Sequence, residues 1–281
     1  MWRLPRPLAL VAAIGLIVLP RAGTAEEPPP PQAEATAPSL PIEVEAEQGI
    51  EWFRDEKRVY ARGNARAVRG EVTVSADVLG ALYRDRPDGG QEVFRLDAEG
   101  NVTISTPGQT MTGVRGVYDL DTGVLRLFGA PARMVSGNDS IAAHKELEYT
   151  TKSQTIIARG DAAAMQGDRQ IKAQELIAFL QRKADGGSTL QRLEATTPLT
   201  VITPKEVIRS NRGTYNVADG TATFIGDVRV TRGANQLNGC RGELDLNAGV
   251  SRLMSCGVGA PPVRGLILPG ASGNGERTGP R

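Results

Sequence analysis

Apolar and polar residues alternate in short runs along most of this chain. Val72, Val74, Ala76 and Val78 fall on one side of an extended segment, with Thr73, Ser75 and Asp77 on the other. Val102 and Ile104 alternate in the same way with Thr103 and Ser105. A period of two marks β-strands with one apolar face. Glycine-led polar stretches separate the runs, so the pattern predicts an all-β chain of many short strands.

The pattern recurs at two scales. Shifting the sequence by 97 positions aligns Val59–Gly129 with Ile156–Gly226 without a gap, with 23 identities in 71 positions. "ARGNARA" at Ala61 meets "ARGDAAA" at Ala158, and "RGVYDLDTG" at Arg115 meets "RGTYNVADG" at Arg212. Inside each copy, segments open at Gly63, Gly100, Gly129, Gly160, Thr197 and Gly226, at spacings of 37, 29, 31, 37 and 29. A period near 30 built from short strands predicts stacked rungs, none of which can bury its apolar face alone. The glycines at rung starts suit tight turns of positive φ. An elongated antiparallel jelly roll and a parallel β-helix both satisfy this periodicity.

Composition narrows the function classes. Lys and Arg number 33 against 32 Asp and Glu, and aromatic residues make up only 4%. Nucleic acid binding would call for a basic excess and a stacking platform, so no nucleic acid partner is expected. The interior positions are Val, Ile, Ala and Thr with almost no Phe or Trp. A partly empty interior able to take an elongated apolar ligand and an ordinary filled core both fit that composition.

The two ends differ from the middle. Arg3 and Arg6 precede a 12-residue apolar run, Leu8 to Leu19, and "RAGTA" follows with small residues at Gly23 and Ala25. This has the form of a secretory signal at 1–25 cleaved after Ala25, with an uncleaved anchor as the competing reading. The run is short for crossing a bilayer, which takes about 20 residues. A Pro-rich linker at 26–41, a single β domain at 42–259 and a flexible tail at 260–281 complete the expected organisation.

Three stretches carry a resemblance. "LPIEVEAE" from Leu40, "VYARGNARAVRGEVTVSADVLGALYR" from Val59 and "GDVRVTRGANQLNGCRGELDL" from Gly226 resemble the LptA/OstA family of periplasmic lipopolysaccharide-transport proteins. The matching motifs are Pro41-Ile42-Glu43-Val44-Glu45-Ala46-Glu47, Gly63-Asn64-Ala65 and Ala76-Asp77-Val78-Leu79. The resemblance covers most of Ile42–Ser255. It implies a β-jelly roll folded like an open taco, with lipid A acyl chains inside and the sugars outside. It also implies end-to-end strand pairing into a bridge, from an inner-membrane LptC component to the outer-membrane LptD barrel, with head-to-tail self-association. A periplasmic location, no enzymatic activity and no cofactor follow from the same resemblance. The chain departs from the family by its duplication and by drift in the second copy, where Ala173-Gln174 and Thr197-Pro198 replace the motifs.

Alternation and the resemblance together nominate Ile42 and Val44 as groove lining, and alternation nominates Val72, Val74, Val102, Ile104, Ile171, Leu199, Val201, Val228 and Val230. Ordinary core packing is the competing reading for each. Each acyl CH₂ removed from water is worth roughly 0.8 kcal/mol, so a continuous apolar trough would lower the barrier to crossing an aqueous gap. The first strand, 42–47, and the last pair, 242–246 and 250–254, are the expected free edges, open to strand addition.

Other chemistry is thin. Cys240 and Cys256 are the only cysteines. An even pair in an exported chain suggests a disulfide, with free thiols or a bond to a partner as alternatives. Two cysteines without a histidine cluster make no zinc site. His144 is the sole histidine, and nothing in the sequence sets a nucleophile or acid beside it. The acids recur at turn positions, which suits turn chemistry. A glycan-acting β-solenoid would need acids and aromatics clustered on central rungs, and a structural envelope spacer would need a filled interior.

Overall fold

The computed structural model describes residues 41–268, apart from 88, 183–187, 246, 249 and 258. The expected signal at 1–25 and nearly all of the linker lie outside the described residues. Twenty strands are present, with no helix among the described residues. The N-terminal half holds β1 (Glu43–Glu45), β2 (Gly49–Phe53), β3 (Arg58–Arg69), β4 (Val72–Asp85), β5 (Gln91–Thr106), β6 (Gln109–Asp119), β7 (Val124–Phe128), β8 (Ala132–Ser136), β9 (Asp139–Ala143) and β10 (Glu146–Thr150). The C-terminal half holds β11 (Thr155–Gln166), β12 (Arg169–Arg182), β13 (Ser188–Ala195), β14 (Leu199–Ile202), β15 (Val207–Ser210), β16 (Arg212–Asn216), β17 (Thr221–Arg232), β18 (Asn235–Asp245), β19 (Val250–Met254) and β20 (Arg264–Leu266).

Every pairing is antiparallel, so the fold is the antiparallel jelly roll and not a parallel β-helix. The long strands run through two sheets and bend between them. The first sheet has the order β2-β3-β4-β5-β6-β7-β10-β11-β12-β13-β16-β17-β18-β19. The second has the order β1-β3-β4-β5-β6-β8-β9-β11-β12-β14-β15-β17-β18-β20.

The glycines at the rung starts sit at these bends rather than in turns between strands. Gly63-Asn64, Gly100-Asn101, Gly160-Asp161 and Gly226-Asp227 all take left-handed φ, near +80° for glycine and +45° for its neighbour. Asn and Asp tolerate that region, and glycine takes it without cost. At Gly100 the space is also closed, because a Cβ would lie 2.0 Å from Asp77 Oδ2. That carboxylate accepts from Asn101 Nδ2 at 3.1 Å and ties adjacent strands together at the bend. The bends at Gly129 and Thr197 are made differently, with cis peptides before Pro131 and Pro198.

The duplication reaches the backbone. Lys57 and Gln154, 97 apart, have φ of 51° and 52°, and their carbonyls accept from the amides of Tyr83 and Leu180, again 97 apart.

The bend also corrects one alternation. Between Ser75 and Val78 the register shifts, because β3 and β5 each carry one more residue than β4 across the bend, and the inward side of β4 reverses there. Val72, Val74 and Ala76 point inward, but the next inward residue is Leu79, which packs on the core. Val78 instead faces Arg62 and Glu99 on the outer side.

The core runs along the inside of the bends. Ala65, Ala132, Ala143, Ala158 and Ala162 are fully buried there. Where a larger residue occurs, its cross-strand partner is small, as with Val102 opposite Gly113 and Val228 opposite Gly239. Leu127 and Leu176 fill the first sheet's side, each worth about 1.5–3 kcal/mol on burial.

The strand content extends past the expected domain end. Arg264–Leu266 pairs with Gln236–Asn238 as β20, so part of the stretch expected to be a flexible tail is sheet. Its apolar run Val263 to Leu268, with only Arg264 charged, has the composition to pair there, which the glycine-rich sequence beyond it does not share.

Candidate lipid groove and free strand edges

Strand register lines up the inward side chains into rows that run from one end of the strand stack to the other. On the second sheet one row reads Val44, Ala67, Val74, Ile104, Met111, Met134, Ile141, Ala164, Ile171, Val201, Ile208, Val230 and Leu237, each directly opposite the next. On the first sheet the facing row reads Trp52, Val59, Ala81, Leu96, Tyr118, Leu125, Tyr149, Ile156, Ala178, Leu193, Tyr215, Ala222 and Leu244. Neither row carries a charge.

The second sheet's inner face is graded across its width. Small residues line the bend, aliphatic residues hold the middle, and the rim is polar. The rim sequence Thr106, Gln109, Ser136, Asp139, Gln166 and Arg169 follows the same register. An amphiphile laid across this face would meet alkane-like surface within and hydrogen-bonding groups at the edge.

The nominated residues lie on this one sheet, with Ile42 just before its first strand, but at different depths. Val74, Ile104, Ile171, Val201 and Val230 form the half-buried middle row. Val102, Leu199 and Val228 lie deeper at the bend, at 1–2% exposure. Val72 is a rim position opposite Arg69, and Ile42 and Val44 are exposed at the N-terminal edge. The facing row was not nominated. Its signal was present in Tyr118 and Tyr215, which occupy matching places in the two copies of the repeat.

Between the sheets, Met111 and Met134 pack near Leu125, Leu127 and Leu147 around a cavity of only about 10 Å³. The methionines are unbranched and can repack around a guest.

Among the described residues both ends of the strand stack are unpaired edges: β1 and β2 pair only with β3, and β19 and β20 only with β18. At the N-terminal end Trp52 Nε1 donates to the Tyr83 hydroxyl at 2.7 Å, and the rings meet edge to face. At the other end Cys240, on β18 at a bend, is disulfide-bonded to Cys256 beyond β19, with the Cα atoms 5.2 Å apart. The bond closes the β18–β19 hairpin at its open end. Cys240→Ser is expected to destabilise the fold by about 3 kcal/mol in the chain-entropy model. A thermal melt with and without reductant checks this, and an unchanged midpoint contradicts it.

The outer side of the first sheet is laced with ion pairs. Arg159 lies 2.6 Å from Glu146 and 2.9 Å from Glu175, and Arg126 lies 2.9 Å from Glu148. Burial works against the Arg159 charge, and the carboxylates around it outweigh that and raise its pKa. His144 stands at the bend between β9 and β10, where its amide donates to the Gly160 carbonyl at 2.7 Å.

A bent antiparallel sandwich with apolar rows inside and a free edge at each end defines a class of extended β-sheet troughs. The sequence model of the LptA/LptD N-terminal-domain family of LPS transport proteins matches the chain twice, over residues 43–155 and 144–250. The chain belongs to that family, and it carries the family unit in tandem. No curated protein matches it. Among solved structures it is similar to LptH, the LptA homologous periplasmic component of the conserved lipopolysaccharide transport device from Pseudomonas aeruginosa. That likeness has 11% identity, covers 82% of this chain and 96% of the other, and has a TM-score of 0.21, so no argument rests on it.

Proposed function

We propose that this chain is a periplasmic carrier that holds the acyl chains of lipid A between its two sheets while the sugars stay in water. In this reading residues 1–25 are a cleaved export signal, 26–41 are a linker and the β domain begins at Ile42. The free edges join other jelly rolls by strand addition: an inner-membrane LptC component, the outer-membrane LptD barrel or further copies of this chain. The tandem unit makes each copy a long segment of such a bridge.

The observation that carries the proposal is the unbroken pair of apolar rows, graded from alanine at the bend to polar groups at the rim. Acyl chains gain about 0.8 kcal/mol for each CH₂ kept from water, and no charged residue interrupts the rows to hold the lipid at one place. The space between the sheets is narrow, so chains enter by parting the rims, with Met111 and Met134 yielding.

A photo-crosslinking residue tests this directly. Placed at Ile104 or Leu125, it is expected to capture lipopolysaccharide in living cells, whereas at the outward Arg126 it is not. Equal capture at all three positions, or none at the inward two, contradicts the proposal.

A further inference from the structure

The two outer faces differ in chemistry. The first sheet's arginines are matched by carboxylates, as at Arg159 and Arg126. The second sheet's outward rows carry no carboxylate from β4 through β20; Asp77, Asp161 and Asp227 stand at the bends, and Glu71, Asp168 and Glu206 at the rim. Register instead sets Lys172, Thr200, Arg209, Arg229, Asn238 and Arg264 side by side on consecutive strands. At about 4.8 Å per strand the row is about 24 Å long.

Arg209 and Arg229 are direct cross-strand partners. Like charges so placed repel, and nothing on the sheet neutralises them. Arg229 Nε donates to the uncharged Asn238 Oδ1 at 3.2 Å. Among the described residues no carboxylate lies within ion-pair reach of Lys172, Arg209, Arg229 or Arg264. These cations are, among the described residues, left to solvent and to whatever docks on this face.

The same corner of the molecule exposes aliphatic surface. Leu266 pairs with Gln236 beside the cation row and is 60% exposed, and Ile267 and Leu268 follow at 70% and 52%. Cations bordered by exposed aliphatic side chains suit the headgroup region of a bilayer. A soluble polyanion would satisfy the arginines but gain nothing from Leu266 to Leu268. A strand added at the β20 edge would not cover side chains on β12, β15 and β17.

We propose that the outer face of the second sheet, at its C-terminal end, docks on a bilayer surface rich in anionic phospholipid headgroups. The proposal does not rest on what the interior carries. Docking would lay the C-terminal end of the trough against a membrane.

The test is flotation of the full secreted chain with vesicles of phosphatidylglycerol and phosphatidylethanolamine, against vesicles of phosphatidylcholine alone. Binding is expected only with the anionic vesicles and is expected to weaken with salt. The outward-facing triple variant Lys172→Gln, Arg209→Gln, Arg229→Gln is expected to bind on the order of 100-fold more weakly. The variant Ile267→Ser, Leu268→Ser is expected to float less while still binding heparin. Equal flotation with both vesicle types overturns the proposal. So does a triple variant that floats like the parent, or a parent that binds heparin but no vesicle.

Discussion

Val102→Asp is expected to unfold the protein, with a loss of more than about 4 kcal/mol. Val102 is 1% exposed and lies opposite Gly113 at the inside of a bend. A Cβ at Gly116 on the adjacent strand would make ordinary contact with Val102 Cγ1, at 3.5 Å. No cation is placed to pair with a carboxylate at that depth, since the neighbours are Ala98, Leu127 and two glycines. Chemical denaturation read by circular dichroism checks this, and a stable, folded variant contradicts the packing described above.

Val74→Asp is expected to behave in the opposite way. Val74 is half-buried in the middle row, between Ala67 and Ile104, one step from the rim at Val72. A carboxylate there reaches water around the rim, so the fold should persist at a cost of about 1–2 kcal/mol. It would also stand among the acyl chains of any bound lipid, and lipid occupancy should fall on the order of tenfold or more. A rigid spacer with a solid interior predicts instead that both substitutions unfold the chain. The pair therefore separates a carrier from a spacer.

Alternation alone found one wall of this interior and not the other. Inside a straight stretch such as Val102–Ile104 the period of two reports the inward side faithfully. It fails at the bends of β4, β6, β12 and β18, where the side reverses because the neighbouring strands β3, β5, β11 and β17 carry one more residue, the Gly-Asn or Gly-Asp pair. Ala76 and Leu79 are both inward although three apart, and so are Ala173 and Leu176. A reader counting by twos from Ala76 arrives at Val78 on the outer surface. Tyr118 lies beyond the reversal on β6, and Leu125 and Tyr149 lie on short separate strands. Leu96, by contrast, is in phase with Val102 and Ile104 on β5, and counting by twos reaches it. The Gly-Asn and Gly-Asp pairs announced positive φ, but the sequence does not distinguish a turn between strands from a bend within one. The cation row was hidden for a different reason. Lys172, Arg209, Arg229 and Arg264 are scattered over 92 residues, and only the register brings them together.

The most direct measurement concerns the contents of the interior. The secreted chain would be purified from a Gram-negative periplasm without detergent, extracted, and its bound lipid identified by mass spectrometry beside the Val74→Asp chain. Lipid A species on the parent and their loss from a folded Val74→Asp chain are the predicted result. A folded parent free of lipid, or equal lipid A on both chains, would contradict the account.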